Sequence, residues 1–407
     1  MPTRAPGPSE PTALEVAPGT WFVRGWVNVA AFATDDGLVL VDAGRAADAR
    51  RLHAAVRSVT DLPLHTVVFT HGHVDHAFGL RAFWEAGDRP RVVAHAAVAE
   101  RFRRYTRTAA HNARINAVQF GVDPAALRWP STDADFAWPD LTYTDALDLT
   151  IGGETFCLRH ARGETDDGTW VWVPARKVLA CGDLFIGVAP NAGNPQKVQR
   201  YPEEWADASE TLAGLGAEVM LPGHSDHRSG AAEIHRLFTL QAEYLRCIVE
   251  QTLAGLNAGL RHDEIVAALV LPAHLLDEPT LQPLYDRPEF IARNVIRKYG
   301  GWWNGSPADL LPAPEADRAT EIATLAGGTG ALVARARTLL ATGDTADLRL
   351  ACHLAEWAGL AAPHDPDARA CVREVFGARA AAESSLMGRG IFGAAVRATT
   401  DPPAPNA

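Results

Sequence analysis

The stretch from Thr70 to Gly79 constrains this chain most, because its sequence THGHVDHAFG places three histidines and an aspartate within six residues. It follows HTVVFT, an apolar and β-branched run that predicts a buried strand. The cluster therefore lies at the carboxyl end of a strand, where the turning chain can bring alternate side chains together. Imidazole and carboxylate are ligands that borderline divalent cations such as Zn²⁺ prefer. The stretch thus predicts a metal site, in preference to a loop that is histidine-rich by chance.

The composition indicates a globular protein with room for two domains. The chain has 407 residues, of which 47% are hydrophobic and 21% charged. Its net charge of −11 disfavours binding to nucleic acid. Residues 1–18 lack the apolar core of a secretory signal and are predicted to form a disordered tail. The sequence contains no run of about 18 apolar residues, so it predicts no membrane span.

The five cysteines are scattered and include no CxxC pair. This usage favours reduced thiols in the cytoplasm over a disulfide framework. It also makes a cysteine-based metal site improbable.

The sequence changes character near Gly230. Before it, strand-like runs alternate with turns, which predicts a mixed α/β domain over residues 19–230. After it, the apolar spacing is helical, which predicts an all-α domain over residues 231–400. The predicted strands are WFVRG, VAAFAT, GLVLVDAG, HTVVFT, PRVVAH, LDLTI, TFCLRHA, TWVWVP, KVLACGD and EVMLPGH.

THGHVDH resembles the metal motif of the metallo-β-lactamase superfamily, whose fold is an αββα sandwich. Further landmarks of that family follow in the same order. VDAG supplies Asp42, HARGET supplies Glu164, ACGDLF supplies Asp183 and LPGH supplies His224. The resemblance implies an α/β fold in which two sheets pack between helices.

The resemblance also implies two divalent metal ions per chain, expected to be Zn²⁺, and a ligand set for each. One ion would be held by His71, His73 and Glu164, and the other by Asp75, His76 and His224. Asp183 would bridge the two ions, and Asp75 would also orient the attacking water. Asp42 would support a ligand histidine by a hydrogen bond, with a purely structural aspartate before a glycine turn as the alternative.

Glu164 stands where most of the superfamily has a histidine, and this departure is similar to the alkyl sulfatases. His160 matches the non-ligating histidine of the family motif and is expected to be structural. The segment LQPLYDRPEFIARNVIRKYGGWWNGSPADLLP resembles the helical dimerisation domain of the same branch. The resemblance therefore implies a homodimer formed through the helical domain.

The loop from Pro190 to Trp205 follows the bridging aspartate and is rich in hydrogen-bond donors suited to a sulfate group. The candidate substrate-binding residues are Asn191, Asn194, Lys197 and Arg200. In the alternative interpretation the asparagines cap turns and the basic side chains face water. Residues 105–121 are interpreted as a helix whose polar side chains face solvent, with lining of the pocket by His111, Asn112, Arg114 and Asn116 as the alternative.

The leading hypothesis is a dinuclear metal-dependent hydrolase that cleaves an alkyl or other organic sulfate ester by means of a hydroxide bridging the metals. The substrate would be a small anionic ester. A thioesterase or lactonase of the same superfamily is the alternative. The third interpretation is a non-catalytic interaction protein. Metal analysis would favour it if the purified protein contained little metal.

Overall fold

The computed structural model describes residues 11–400. Its first sheet contains seven strands that lie side by side in chain order. These strands are β1 (Thr12–Ala17), β2 (Thr20–Arg24), β3 (Val29–Thr34), β4 (Gly37–Val41), β5 (Leu64–Val68), β6 (Arg91–His95) and β7 (Leu141–Tyr143). Strands β1 to β4 are antiparallel neighbours, whereas β4 to β7 run parallel.

The second sheet contains six strands, again adjacent in chain order. They are β8 (Ala146–Ile151), β9 (Glu154–His160), β10 (Thr169–Val173), β11 (Val178–Gly182), β12 (Val219–Pro222) and β13 (Arg228–Ser229). Only β11 and β12 are parallel among these neighbours.

Fourteen α-helices occur between residues 11 and 400, and none of them is long and apolar enough to span a membrane. They are α1 (Ala49–Arg57), α2 (Arg81–Glu85), α3 (Ala97–Arg107), α4 (Ala109–Phe120), α5 (Pro202–Ala213), α6 (Ala231–Asn257), α7 (His262–Ala267), α8 (Ala273–Leu276), α9 (Pro288–Gly300), α10 (Glu315–Leu325), α11 (Thr329–Ala341), α12 (Thr345–Ala361), α13 (Pro366–Ala381) and α14 (Leu386–Ala398).

Side-chain alternation along the strands produces the layers of the fold, because successive residues of a strand point to opposite faces. In β4, Leu38 and Leu40 pack with the helices on the outer face, whereas Val39 and Val41 face the second sheet. Both faces are buried, so this strand is apolar throughout. The predicted αββα sandwich is therefore confirmed.

The predicted disordered tail is wrong for residues 12–17, which form β1. This strand pairs with β2 in antiparallel register, so backbone hydrogen bonds order it without an apolar sequence pattern. The first ten residues of that prediction lie outside the described part of the chain.

The helical half of the chain contributes to two separate cores. Helices α5, α6 and α9 pack with the second sheet in one apolar cluster. Helices α10 to α13 form a cluster of their own, rich in alanine, which allows close approach of the helix axes. The predicted domain boundary at residue 230 coincides with the start of α6, but the first independent helical core begins only with α10.

The strands that carry the metal motif end at one edge of the sandwich. Asp42, the histidine cluster, Asp183 and His224 follow β4, β5, β11 and β12 respectively. The amide of Thr169 donates a hydrogen bond to the carbonyl oxygen of Thr70 at 2.7 Å and joins the two sheets there. Gly182 allows this approach, since a Cβ atom at its position would lie 2.7 Å from the side chain of Thr70. The left-handed φ of +52° at Gly182 also favours glycine.

We expect Phe156→Ala to lower the free energy of unfolding by about 3–5 kcal/mol, because it would leave a cavity between the sheets. Phe156 is fully buried, and its ring packs edge-to-face on Phe32 of the opposite sheet at 5.5 Å. Urea unfolding followed by circular dichroism measures the change. Leu14→Ala is the control, since Leu14 is 53% exposed and its loss should cost about 0.5 kcal/mol or less. Equal losses in both variants would contradict the assigned core.

Candidate metal centre

The structure brings all seven predicted ligands together at the shared edge of the sheets. They form two groups, and within each group one potential ligand atom per residue lies within 4.8 Å of the others. The first group is His71, His73, Glu164 and Asp183, and the second is Asp75, His76 and His224. These groups match the two ligand sets that the sequence predicted, and the assignment of each residue as a ligand stays a prediction.

Asp183 connects the two groups. Its Oδ2 lies 3.8 Å from Nε2 of His71 and 3.6 Å from Nε2 of His224. Its Oδ1 lies 3.3 Å from Nε2 of His76. One carboxylate thus faces ligand nitrogens of both groups, which is the geometry that a bridging carboxylate requires.

Asp42 orients His76 from behind. Its Oδ2 accepts a hydrogen bond from Nδ1 of His76 at 2.7 Å, which directs Nε2 of this histidine toward Asp183. Asp42 also accepts hydrogen bonds from the amide and the hydroxyl of Thr70. It therefore fixes both a candidate ligand and the backbone at the end of β5.

The buried polar atoms of the site fit a metal ion. Among the described residues, Nε2 of His76 and Oδ1 of Asp183 are buried without a hydrogen-bond partner. Buried polar groups rarely lack partners, so two such atoms facing each other indicate a cation between ligands. Gly223 leaves room for this arrangement, because a Cβ atom there would lie 2.4 Å from Asp183.

The pKa values of the histidines and the negative charge around them favour the binding of a cation. Burial, together with the neighbouring His76, lowers the pKa of His71 to about 3, and burial likewise lowers that of His73. Both imidazoles are therefore neutral, as metal ligands must be. Burial also lowers the pKa of His76, but the carboxylates of Asp183, Asp42 and Asp75 outweigh it and raise that pKa well above its usual value. This excess of negative charge suits bound cations.

Two of the four predicted substrate-binding residues contact Glu164. Asn191 donates a hydrogen bond to Oε1 of Glu164, and Nη1 of Arg200 lies 2.6 Å from the same oxygen. Arg200 is only 2% exposed and also donates to the carbonyl oxygen of Glu164 at 2.7 Å. Burial, opposed by Arg200, raises the pKa of Glu164 to about 8. These contacts indicate that Asn191 and Arg200 position Glu164, so loss of activity in Arg200→Ala would not identify the substrate.

The other two predicted residues contact helix α4. Asn194 is buried, and its amide donates to Oε1 of Gln119 at 3.2 Å. Nζ of Lys197 donates to Oδ1 of Asn116 at 2.8 Å. Burial, helped by the positive charge of Arg200, lowers the pKa of Lys197 to about 7. The interpretation of residues 105–121 as a helix with solvent-facing polar groups is wrong for Asn116, because a distant loop folds onto it.

Two residues beside the site, Asp167 and Tyr285, were not predicted from the sequence. Asp167, which directly follows the GETD run, accepts a hydrogen bond from the amide of Gly72 at 3.1 Å and pairs with Arg101 at 2.7 Å. It therefore holds the turn between His71 and His73. The acidic pair after Glu164 was a signal that could have found it.

Tyr285 is the second missed residue, and it comes from the segment between α8 and α9. Its hydroxyl accepts a hydrogen bond from Nε2 of Gln119 at 2.9 Å. Burial, followed by the charges of Glu164 and Asp75, raises its pKa. Nothing in the local sequence separates this tyrosine from a packing residue.

His160 lies outside both ligand groups, as the sequence predicted. Its Nδ1 is 2.9 Å from the carbonyl oxygen of Gly168, and its ring stacks on His95 at 3.9 Å.

The fold and the paired ligand groups define a protein with a dinuclear metal site at the edge of an αββα sandwich. The sequence matches the metallo-beta-lactamase superfamily over residues 24–224 and the alkyl sulfatase dimerisation family over residues 261–401. The chain therefore combines a metallo-beta-lactamase superfamily domain with an alkyl sulfatase dimerisation domain.

Its relatives include a linear primary-alkylsulfatase of Pseudomonas sp., 28% identical over 76% of this chain and 61% of the relative. An (R)-specific secondary-alkylsulfatase of Pseudomonas sp. is 26% identical over 88% of this chain and 58% of the relative. The solved structure of the sec-alkylsulfatase Pisa1 from Pseudomonas sp. superimposes with a TM-score of 0.84, at 24% identity, over 97% of this chain and 66% of that one. The chain thus spans about three fifths of the length of these curated relatives.

We expect Asp42→Asn to lower metal affinity about 10- to 100-fold, because the neutral amide replaces the negatively charged carboxylate that accepts the hydrogen bond of His76. Asparagine tolerates the left-handed φ of 65° at this position, so the substitution changes the charge and not the backbone. Titration of metal-free protein followed by calorimetry measures the affinity. Asp148→Asn is the control, because Asp148 lies on β8, at the edge of the second sheet, and pairs with Arg159. Equal affinities in the two variants would remove Asp42 from the site.

Proposed function

We propose that this protein is a metal-dependent hydrolase that cleaves an organic sulfate ester at the paired ligand groups. The observation that carries the proposal is Asp183, whose two oxygens face ligand nitrogens of both groups. The names of the relatives, which are alkylsulfatases, support the substrate class. Divalent cations in such a site lower the pKa of water and neutralise charge that develops in the transition state.

We further propose Zn²⁺ as the metal in both positions. Four histidines contribute nitrogen to the two groups, and three carboxylates contribute oxygen. This mixture is typical of zinc in proteins, whereas magnesium and calcium prefer all-oxygen sites.

Individual side chains are proposed to activate the water, bind the sulfate group and position Glu164. Asp75 is half-buried beside His224, with 28% of its side chain exposed, and is placed to accept a proton from an incoming water. Lys197 and Tyr285, which contact Asn116 and Gln119 of α4, are the proposed donors for sulfate oxygens. Asn191 and Arg200 keep Glu164 in position.

We propose a cytoplasmic location because the cysteines are free. All five lie in the described part of the chain, and none forms a disulfide.

We expect zinc-loaded protein to release inorganic sulfate from octyl sulfate, and not to hydrolyse a neutral octanoyl thioester at a comparable rate. Ion chromatography measures sulfate, and a thiol reagent measures the thioester reaction. Thioester hydrolysis without sulfate release would overturn the proposed substrate class in favour of an acyl hydrolase.

Lys197→Met tests the same proposal at the site. Hydrogen bonds to charged groups contribute about 1.5–3 kcal/mol, so kcat/KM for octyl sulfate should fall roughly 10- to 100-fold. Lys177→Met is the control, because Lys177 forms an exposed ion pair with Glu218. A similar loss in both variants would exclude a specific role for Lys197.

We also propose that the chain forms a homodimer through its helical region. Residues 261–401 match a dimerisation family. The same region exposes large apolar side chains, including Trp302 (73%), Leu311 (91%) and Leu325 (80%). Such exposure is typical of surfaces that bind another protein.

We expect Trp302→Asp combined with Leu311→Asp to produce a monomer, because the introduced charges would be buried in the contact. Multi-angle light scattering measures the mass. Leu14→Asp, at an exposed position of β1, should leave the dimer intact. A monomeric parent protein would contradict the proposal directly.

A further inference from the structure

Three consecutive residues between α8 and α9 contact three different parts of the molecule. Tyr285 contacts α4, and Arg287 pairs with Glu383, which follows α13. Between them, Asp286 accepts a hydrogen bond from the amide of Gly193. Gly193 belongs to the loop after β11, which carries the predicted substrate-binding residues. Asp286 therefore links this loop to the helical half of the chain.

Asp286 is a fully buried carboxylate whose partners are backbone amides. Its Oδ2 accepts a hydrogen bond from the amide of Gly193 at 2.5 Å, and its Oδ1 accepts one from the amide of Arg287 at 2.8 Å. Burial, opposed by these two amides, raises the pKa of Asp286 to about 7. Buried carboxylates with strongly shifted pKa values are concentrated at functional sites, so the position of this one calls for a role.

The loop that Asp286 holds is packed tightly against α9. A Cβ atom at Gly193 would lie 2.1 Å from the backbone nitrogen of Ile291 and 2.2 Å from the carbonyl carbon of Phe290. Only glycine permits this approach of the loop to the first turn of the helix. The hydrogen bond from Gly193 to Asp286 then fixes the loop at the point of closest approach.

Gly193 lies between two contacts that shape the site. Two residues before it, Asn191 donates a hydrogen bond to Oε1 of Glu164, a predicted metal ligand. One residue after it, Asn194 donates to Oε1 of Gln119 of α4 at 3.2 Å. A displacement of Gly193 would move both asparagines, because they are its near neighbours in the chain. The loop therefore has to be held at Gly193 for Asn191 to reach Glu164.

The segment that carries this carboxylate is anchored in the helical half by a buried ion pair. Glu383 is only 3% exposed, and both of its oxygens accept hydrogen bonds from Nη1 of Arg287 at 3.0 Å. Nη2 of Arg379, on α13, lies 3.2 Å from Oε2 of Glu383. The amide of Leu386, the first residue of α14, donates to the carbonyl oxygen of Leu284 at 2.9 Å. Helices α13 and α14 thus fix the backbone of the segment.

We propose that Asp286 is a positioning residue that holds Glu164 in the first ligand group by way of Asn191. It acts through the amide of Gly193, which it fixes against α9. The inference rests on the proposed function, because it gives Glu164 the role of a metal ligand. The first metal position then depends on the helical half of the chain, whereas the second ligand group has no such connection to Asp286.

Removal of Zn²⁺ from the zinc-loaded full chain by graded chelator tests the inference, with the metal content measured by mass spectrometry. We expect Asp286→Asn to lose one of the two ions at about 10- to 100-fold higher free Zn²⁺ than the parent protein, and the other at an unchanged concentration. Asp286→Ala should show the larger shift, because asparagine keeps one oxygen for the two amides and alanine keeps none.

A double variant separates a positioning role from a general loss of stability. If Asp286 acts through Asn191, then Asp286→Asn combined with Asn191→Ala should bind Zn²⁺ as Asn191→Ala alone does. Independent effects would multiply instead. Asp277→Asn is the matched control, since Asp277 is an exposed aspartate of the same segment and should retain both ions. Thermal unfolding followed by circular dichroism reports on the stability of each variant.

The inference is overturned if a folded Asp286→Asn keeps both ions, if it loses both equally, or if the effects multiply in the double variant. Failure of both Asp286 variants to fold would make the residue structural and equally overturn it. A parent protein that binds no Zn²⁺ would overturn the metal centre and this inference together. If one ion is selectively weakened but the parent releases no sulfate from octyl sulfate, the proposed substrate class fails and the positioning role stands.

Discussion

The concentration of negative charge around Asp183 is the constraint on which the rest of the site depends. Asp42, Asp75, Glu164 and Asp183 meet four histidines where the sheets end, and most of these groups are buried. Unpaired buried charge is expensive, so this edge of the fold is stable only with compensating positive charge. Arg200 supplies part of that charge at Glu164, and two bound cations would supply the rest. The hydrogen bonds of Asp42 and Asp167 hold the candidate ligands in place while they are drawn together.

The two sheets provide the rigidity that such a cluster requires. Parallel strands end in register at the site, and glycines at positions 182 and 223 allow the chain to pass within contact distance of Thr70 and Asp183. Candidate ligands at strand ends have less freedom than ligands on a long loop. Glu164 depends on further contacts, because it lies on the loop after β9. Asn191 and Arg200 compensate by fixing it from the opposite side.

The helical half is part of the site as well as a region of its own. Asn294 of α9 donates to the carbonyl oxygen of Arg200 at 2.8 Å, which holds the residue that positions Glu164. Tyr285 reaches the site from the same half. Gly390 of α14 lies directly against α4, since a Cβ atom there would come within 2.6 Å of the carbonyl oxygens of Val118 and Gln119. Helix α14 therefore packs on the helix whose Asn116 and Gln119 contact Lys197 and Tyr285.

The sequence by itself predicted the strands and the histidine cluster, and its resemblance to the metallo-β-lactamase superfamily added the sandwich and the distant candidate ligands. Alternating and continuous apolar runs predict strands because burial depends on local periodicity, and the histidine cluster carries its chemistry within six residues. It did not predict β1, whose order comes from pairing with β2, or the contacts of Tyr285, Asp167 and Asn116. Only the tertiary structure decided that Arg200 faces Glu164 and that Trp26 meets Phe120. Such contacts join residues far apart in the chain, and side-chain direction at long range depends on packing that no local pattern encodes.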